Sequence, residues 1–272
     1  MSVIQRNHVN FSGRGSQPMM FAHGFGCDQN MWRFVTPAFE NDYRIVLFDY
    51  VGAGKSDISA YNRTKYGSLD AYAQDVLDIC DELRLRDVIF VGHSVSSMIG
   101  VLAAIRKPEL FAALVLIGPS PRYIDDGDYV GGFSEKDIHQ LIDSLDDNYL
   151  GWSRSMAPVI MGNPERPELG EELTNSFCRT DPEIQKQFAR VTFLSDNRDD
   201  LPKLSVPSLI LQCSVDVIAP PAVGEYVHRK LRDSRLALLD ATGHCPNLSA
   251  PAEVVGATKR FLAELPATRR LA

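Results

Sequence analysis

Three side chains far apart in the chain, Ser94, Asp216 and His244, have the types and the order needed for nucleophilic acyl transfer. A serine hydroxyl is a weak nucleophile until an imidazole takes its proton. The imidazole in turn needs a carboxylate to hold its tautomer. Ser94 lies in Gly92-His93-Ser94-Val95-Ser96, directly after the apolar run 88–91 and before a small-residue stretch reaching Ile105. That pattern reads as a sharp strand-to-helix turn, a nucleophile elbow, where the residues around the serine must be small. Gly92 meets this need. Ser96 meets it too, although glycine is usual at its position. In such a turn the Val95 N–H faces the place where an oxyanion would form.

The expected partners follow strands of their own. Leu209-Ile210-Leu211-Gln212-Cys213 reads as a buried strand, and Asp216 comes three residues later, ahead of Ile218-Ala219-Pro220. Leu236-Ala237-Leu238-Leu239 reads as the last strand, and His244 follows in Gly243-His244-Cys245-Pro246. A second oxyanion donor is expected from Phe21-Ala22-His23-Gly24-Phe25-Gly26. Its glycines free the backbone to turn amides inward, and Phe25 N–H is the predicted donor. The other histidines read as structural or surface residues: His23 in this loop, His93 inside the elbow, and His8, His139 and His228 without matching partners. Asp49 precedes the serine in the chain, and Asp49 to Gly54 reads as a structural turn. Gly52-Ala53-Gly54-Lys55-Ser56 lacks the leading glycine of a phosphate loop.

The elements that position these groups alternate strand and helix. Strands are predicted at 8–11, 19–22, 44–48, 88–91 and 113–117, then at 208–213 and 237–239. Several are short and wholly apolar, as in a parallel sheet covered on both faces. One helical stripe runs through Leu69, Tyr72, Ala73, Val76, Ile79, Cys80 and Leu83. Val223, Tyr226, Val227 and Leu231 mark a second, and Val254, Val255, Thr258, Phe261, Leu262 and Leu265 a third. Residues 121–200 differ, with helices and no convincing strand. Ser134 and Asp137 form a capping-box pattern ahead of Ile138, Leu141, Ile142 and Leu145. Leu169, Leu173 and Phe177 make another stripe, and Asp181-Pro182 starts a helix carrying Ile184, Phe188 and Val191. The expected organisation is α/β: a core of residues 1–120 and 201–272, interrupted by a helical lid at 121–200 over the strands' C-terminal edge, where open α/β sheets bind ligands.

Bulk properties narrow the function classes. The 272 residues carry a formal charge of −7, with 44% hydrophobic and 23% charged residues. Without clustered basic residues, neither a nucleic acid nor an anionic membrane is an expected partner, and Thr268-Arg269-Arg270 is too short a basic tail to change that. No apolar run approaches the length of a membrane span. The five cysteines are odd in number and form no Cys-x-x-Cys. With no signal-peptide pattern at the start, they predict reduced thiols and a cytoplasmic location.

Several motifs together resemble the RsbQ-like α/β-hydrolases, which include the bacterial stress regulator RsbQ and the plant karrikin and strigolactone receptors. They are His23-Gly24-Phe25-Gly26-Cys27-Asp28-Gln29-Asn30-Met31-Trp32, Phe48-Asp49-Tyr50-Val51-Gly52, Gly92-His93-Ser94-Val95-Ser96, and Gly118-Pro119-Ser120-Pro121-Arg122-Tyr123. Tyr129-Val130-Gly131-Gly132-Phe133, Asn148-Tyr149-Leu150-Gly151-Trp152, Phe177-Cys178-Arg179-Thr180-Asp181-Pro182 and Gly243-His244-Cys245-Pro246 extend the likeness over nearly the whole chain. This group tolerates Ser96 where other hydrolases have glycine. Asn247 departs from it, since relatives commonly carry histidine there. The resemblance implies an α/β-hydrolase fold with a mostly parallel sheet, helices on both faces and a four-helix lid. It also implies a small apolar pocket walled by Phe25, Val95, Phe133, Trp152, Phe193 and Ile218; on sequence alone Phe133, Trp152 and Phe193 serve equally well as lid core. Such a pocket suits a compact hydrophobic ester or lactone.

Two functions follow as expectations. The first is a serine hydrolase that needs neither metal nor organic cofactor, with haloperoxidase or C–C hydrolase chemistry available to the same three residues. The second, implied by the resemblance, is an RsbQ-type signalling protein that binds or slowly cleaves a small ligand and engages a partner, such as a PAS-domain phosphatase. A monomer or weak dimer is expected in either case.

Overall fold

The computed structural model describes residues 1–265, so the basic tail at 268–270 lies outside the described residues. A short helix α1 (Val3–Arg6) leads into β1 (Asn10–Ser12) and β2 (Pro18–Ala22), then β3 (Arg44–Leu47), α2 (Leu69–Glu82), β4 (Val88–His93), α3 (Val95–Arg106) and β5 (Phe111–Ile117). Four helices follow without a named strand between them: α4 (Glu135–Asp147), α5 (Tyr149–Met161), α6 (Pro167–Cys178) and α7 (Pro182–Phe193). The chain then resumes with β6 (Ser208–Val215), α8 (Pro221–Lys230), β7 (Ser234–Thr242), α9 (Pro246–Ser249) and α10 (Pro251–Glu264).

The strands form one seven-stranded sheet in the order β1-β3-β2-β4-β5-β6-β7. Every pairing is parallel except β1 with β3. Because a strand alternates its side chains between faces, the central strands feed two cores. Met19, Phe21, Ile89, Val91, Val115, Ile117, Leu209 and Leu211 join one core with α10 and the inserted helices. Met20, Ala22, Phe90, Leu114, Leu116 and Ile210 join the other with α2 and α3. Both faces are covered, which explains the wholly apolar strands. No helix among the described residues is long and apolar enough to cross a membrane. All five cysteines are free thiols.

The ends of the sheet depart from expectation. Residues 8–11 do not form the first strand. His8 takes a left-handed φ of 44° after α1, and pairing starts only at Asn10. The last strand is nine residues long, far beyond the predicted 237–239. It is an edge strand, so its outward positions include Arg235 and Asp240 and break the apolar run.

Candidate active site

Ser94 has φ 57° and ψ −123°, a strained backbone for a residue with a side chain. Its N–H donates to Ile117 O at 2.7 Å, which ties the elbow to β5. The turn brings the backbone of residues 92 and 96 so close that a Cβ on Gly92 would lie 2.6 Å from Ser96 O. Asp216 follows β6 at once, and its Oδ1 accepts from Ile218 N–H at 2.8 Å and Ala219 N–H at 3.1 Å. His244 sits in the turn between β7 and α9. Its N–H donates to Ile160 O at 2.9 Å, and Gly243 N–H donates to Val215 O at 2.8 Å.

These three residues meet. His244 Nδ1 lies 2.7 Å from Asp216 Oδ2, and His244 Nε2 lies 2.8 Å from Ser94 Oγ. A carboxylate only accepts, so Nδ1 carries the proton and Nε2 is left to accept from the serine hydroxyl. All three are buried. Burial alone would raise the Asp216 pKa. The His244 ring and the Ala219 and Ile218 amides outweigh it, and the carboxyl is held below its ordinary value.

The expected oxyanion donors lie on the two segments that meet here. Val95 opens α3, so its N–H has no intrahelical acceptor. Neither it nor Phe25 N–H finds a protein acceptor among the described residues. Behind them is a set of hydrogen bonds that sequence reasoning missed. The Ser96 hydroxyl donates to His23 O at 2.5 Å. Tyr50 Oη lies 3.0 Å from the same Ser96 Oγ. His23 Nε2 accepts from Tyr50 N–H at 3.1 Å, so Nδ1 carries the proton and bonds Gly24 O at 2.9 Å. A trans peptide points its C=O and N–H in opposite directions, so holding Gly24 O also aims Phe25 N–H. Ser96 thus links the elbow helix to the Phe25 loop. The signal was present in the sequence as the serine that replaces the usual glycine.

His93 has a matching structural part. Its Nε2 donates to His244 O at 2.7 Å, joining the elbow to the turn that carries His244. Burial, with the nearby His244 ring, lowers its pKa to about 3. Asp49 accepts from Gln29 N–H and Lys55 N–H, each at 2.9 Å, and serves the turn.

A cavity of about 30 Å³ lies over Ser94. Of the predicted wall, Phe25, Trp152, Phe193 and Ile218 line it. Phe133 does not. Its backbone folds back on the preceding loop, with Phe133 N–H donating to Tyr123 O at 3.2 Å and Asp125 N–H to Phe133 O at 2.8 Å, and Tyr123 occupies the wall instead. The Val95 side chain packs into the core beneath α3. Sequence reasoning missed Cys27, Tyr123, Ile160, Leu173, Phe177, Thr192 and Cys245 as lining residues. Burial pushes the Tyr123 pKa up to about 12. Burial likewise pushes the Cys27 thiol up to about 12 and Cys245 well above its ordinary value, so neither is poised as a thiolate. Asn247 is buried and donates to Met31 O at 3.0 Å, fixing α9 to the loop after β2. Among the described residues no group of three or more His, Cys, Asp or Glu is placed to hold a metal ion.

Residues 19–257 match the model of the alpha/beta hydrolase family. A strigolactone esterase from Arabidopsis thaliana is 38% identical over 262 residues, covering 96% of this chain and 98% of the relative. Karrikin insensitive 2 receptor CA from Petunia hybrida is 37% identical over 264 residues, with the same coverage of 96% and 98%. A solved hydrolase from Oleispira antarctica superposes with a TM-score of 0.94 at 41% identity, over 96% of each chain. The chain belongs to the alpha/beta hydrolase family.

Proposed function

We propose that the chain is a serine hydrolase of small, largely apolar esters or lactones. The observation that carries this is the unbroken hydrogen-bonded line from Ser94 Oγ through both His244 nitrogens to Asp216. Ser94 Oγ attacks the carbonyl carbon while His244 Nε2 takes its proton, and Asp216 steadies the imidazolium. The Phe25 and Val95 N–H groups hold the oxyanion. The tetrahedral adduct collapses, the C–O bond to the leaving group breaks, and His244 returns the proton to that oxygen. Water then attacks the Ser94 acyl-enzyme by the same route and releases the acid. Few polar atoms line the cavity, which supports an apolar ligand.

A second reading draws on the names of the relatives, one an esterase and another a receptor. On this reading the chain binds or slowly cleaves its ligand and then engages a protein partner, a PAS-domain phosphatase by the resemblance drawn above. A pre-steady-state time course with a short p-nitrophenyl ester separates the two. Sustained turnover that falls on the order of 10⁴-fold or more in Ser94→Ala supports the hydrolase. One stoichiometric burst followed by near silence favours the receptor reading. Equal rates in both proteins overturn Ser94 as the nucleophile.

A further inference from the structure

Thr192 is the exception in the wall that the inserted helices contribute. It is 1% exposed, it borders the cavity, and its Oγ1 has no hydrogen-bond partner among the described residues. A helical threonine commonly satisfies its hydroxyl on the carbonyl one turn back. Here that bond is not made. A buried hydroxyl without a partner is costly, whereas valine has nearly the same shape without that cost.

The position of the hydroxyl is set by its neighbours. Phe188, one turn earlier, shares a helix face with Thr192 and packs on Phe25 with ring centroids 5.9 Å apart. Phe193, the next residue, packs on Phe25 at 6.1 Å and on Tyr123 at 5.1 Å. This end of α7 therefore lies over the loop that carries the Phe25 oxyanion donor. A ligand whose carbonyl oxygen reaches that donor lies beside this end of the helix.

We infer that Thr192 is a specificity-determining residue whose hydroxyl donates to a second oxygen of the substrate, near the scissile carbonyl. The inference rests on the hydrolytic reading above and narrows its substrate class. The preferred acyl group is not a plain alkyl chain but one bearing an ether or carbonyl oxygen one or two atoms from the ester carbon.

The test uses acyl chains matched in length as p-nitrophenyl esters: butyrate against methoxyacetate, and valerate against 3-methoxypropionate. Each pair differs by one CH₂ replaced by oxygen. Comparing the variant's ratio with the wild type's cancels the intrinsic reactivity of each ester. For Thr192→Val, the ratio of oxygenated to alkyl kcat/KM is expected to fall about five- to tenfold in at least one pair, the size of one lost hydrogen bond. Thr192→Ser, which keeps the hydroxyl, is expected to restore most of that ratio. The Tm of Thr192→Val should equal or exceed the wild-type value, because an unsatisfied group has been removed. Unchanged ratios in both pairs, or a lowered Tm that reveals a protein partner for the hydroxyl, would overturn the inference alone. Turnover at the wild-type rate by Ser94→Ala in the same assay would overturn the hydrolytic reading and the inference with it.

Discussion

The cavity wall built by the sheet and the wall built by the inserted helices are held in different ways. On the sheet side, Ser94 N–H is tied to Ile117 O and Asp216 Oδ1 to the Ile218 and Ala219 amides, while the His244 N–H crosses to Ile160 O on α5. On the insert side, rings pack against rings. Trp152 stacks on Phe177 at 5.7 Å, and Phe25 touches Trp152, Phe177 and Phe193 at 5.7 to 6.1 Å. Directional bonds set atoms to within tenths of an ångström, whereas apolar packing sets a shape that repacking can alter. The comparison teaches where each property resides. On the proposed reading, the geometry of Ser94 and Asp216 is set at the sheet's C-terminal edge, His244 is shared with α5, and ligand choice is set by the rings of α5, α6 and α7.

The sharpest way to break this division is Asp216→Asn. The amide keeps the shape but cannot hold His244 in the tautomer that accepts from Ser94, so kcat should fall about 10⁴-fold. Ester turnover, with circular dichroism to verify folding, is the check. A rate near wild type would remove Asp216 from the proposed chemistry. On the other wall, Phe177→Ala deletes a ring that is 2% exposed. Its unfolding free energy should drop by about 3–5 kcal/mol, read by urea denaturation. Its acylation rate should suffer far less than that of Asp216→Asn. If the two variants lose rate equally, the insert contributes to the chemistry and the division fails. A smaller effect is expected from Ser96→Gly, which restores the usual elbow residue but cuts the tie to His23 O. We expect kcat to fall about five- to tenfold with little change in KM, since the loss is one hydrogen bond behind the oxyanion donors. Unaltered kcat would show that the Phe25 loop holds its geometry without Ser96.

Much of the sheet was legible in the chain because its physical signals are local. The central strands are apolar on both faces, and the elbow needs small residues in sequence next to its serine. Legibility failed where a position depends on distant neighbours. The first strand was set too early because the left-handed turn at His8 has no strong marker. Among the inserted helices, α4 and α7 announce themselves by caps: Ser134 accepts from Asp137 N–H, and Asp181 accepts from the Glu183 and Ile184 N–H groups. Helix α5 is capped too, with Asn148 accepting from Gly151 N–H, but it shows no single apolar stripe. It contains Gly151 and Pro158 and is apolar on several sides, with Val159 51% exposed, so only the family resemblance pointed to a fourth helix. The wall was hardest to read. Tyr123 and Phe133 are ten residues apart on one loop, and nothing in their spacing says which of them turns toward Ser94.

The bond from His93 to the His244 carbonyl has a consequence for acid tolerance. The ring is buried, its Nδ1 has no hydrogen-bond partner among the described residues, and the Gly24 backbone packs closely against it. Its pKa falls from an ordinary 6.5 to about 3 in the folded chain. Between those two values the unfolded chain takes up a proton that the folded chain refuses. This group therefore leaves stability untouched above pH 6.5 and erodes it as the pH falls toward 3. Thermal melts across that range should show a shallower acid decline in His93→Gln, whose amide can still reach the His244 carbonyl. The same declines in both proteins would place the acid sensitivity elsewhere. The joint between the elbow and the His244 turn is thus the place where the fold is expected to lose stability first in acid, through a residue that takes no part in the proposed chemistry.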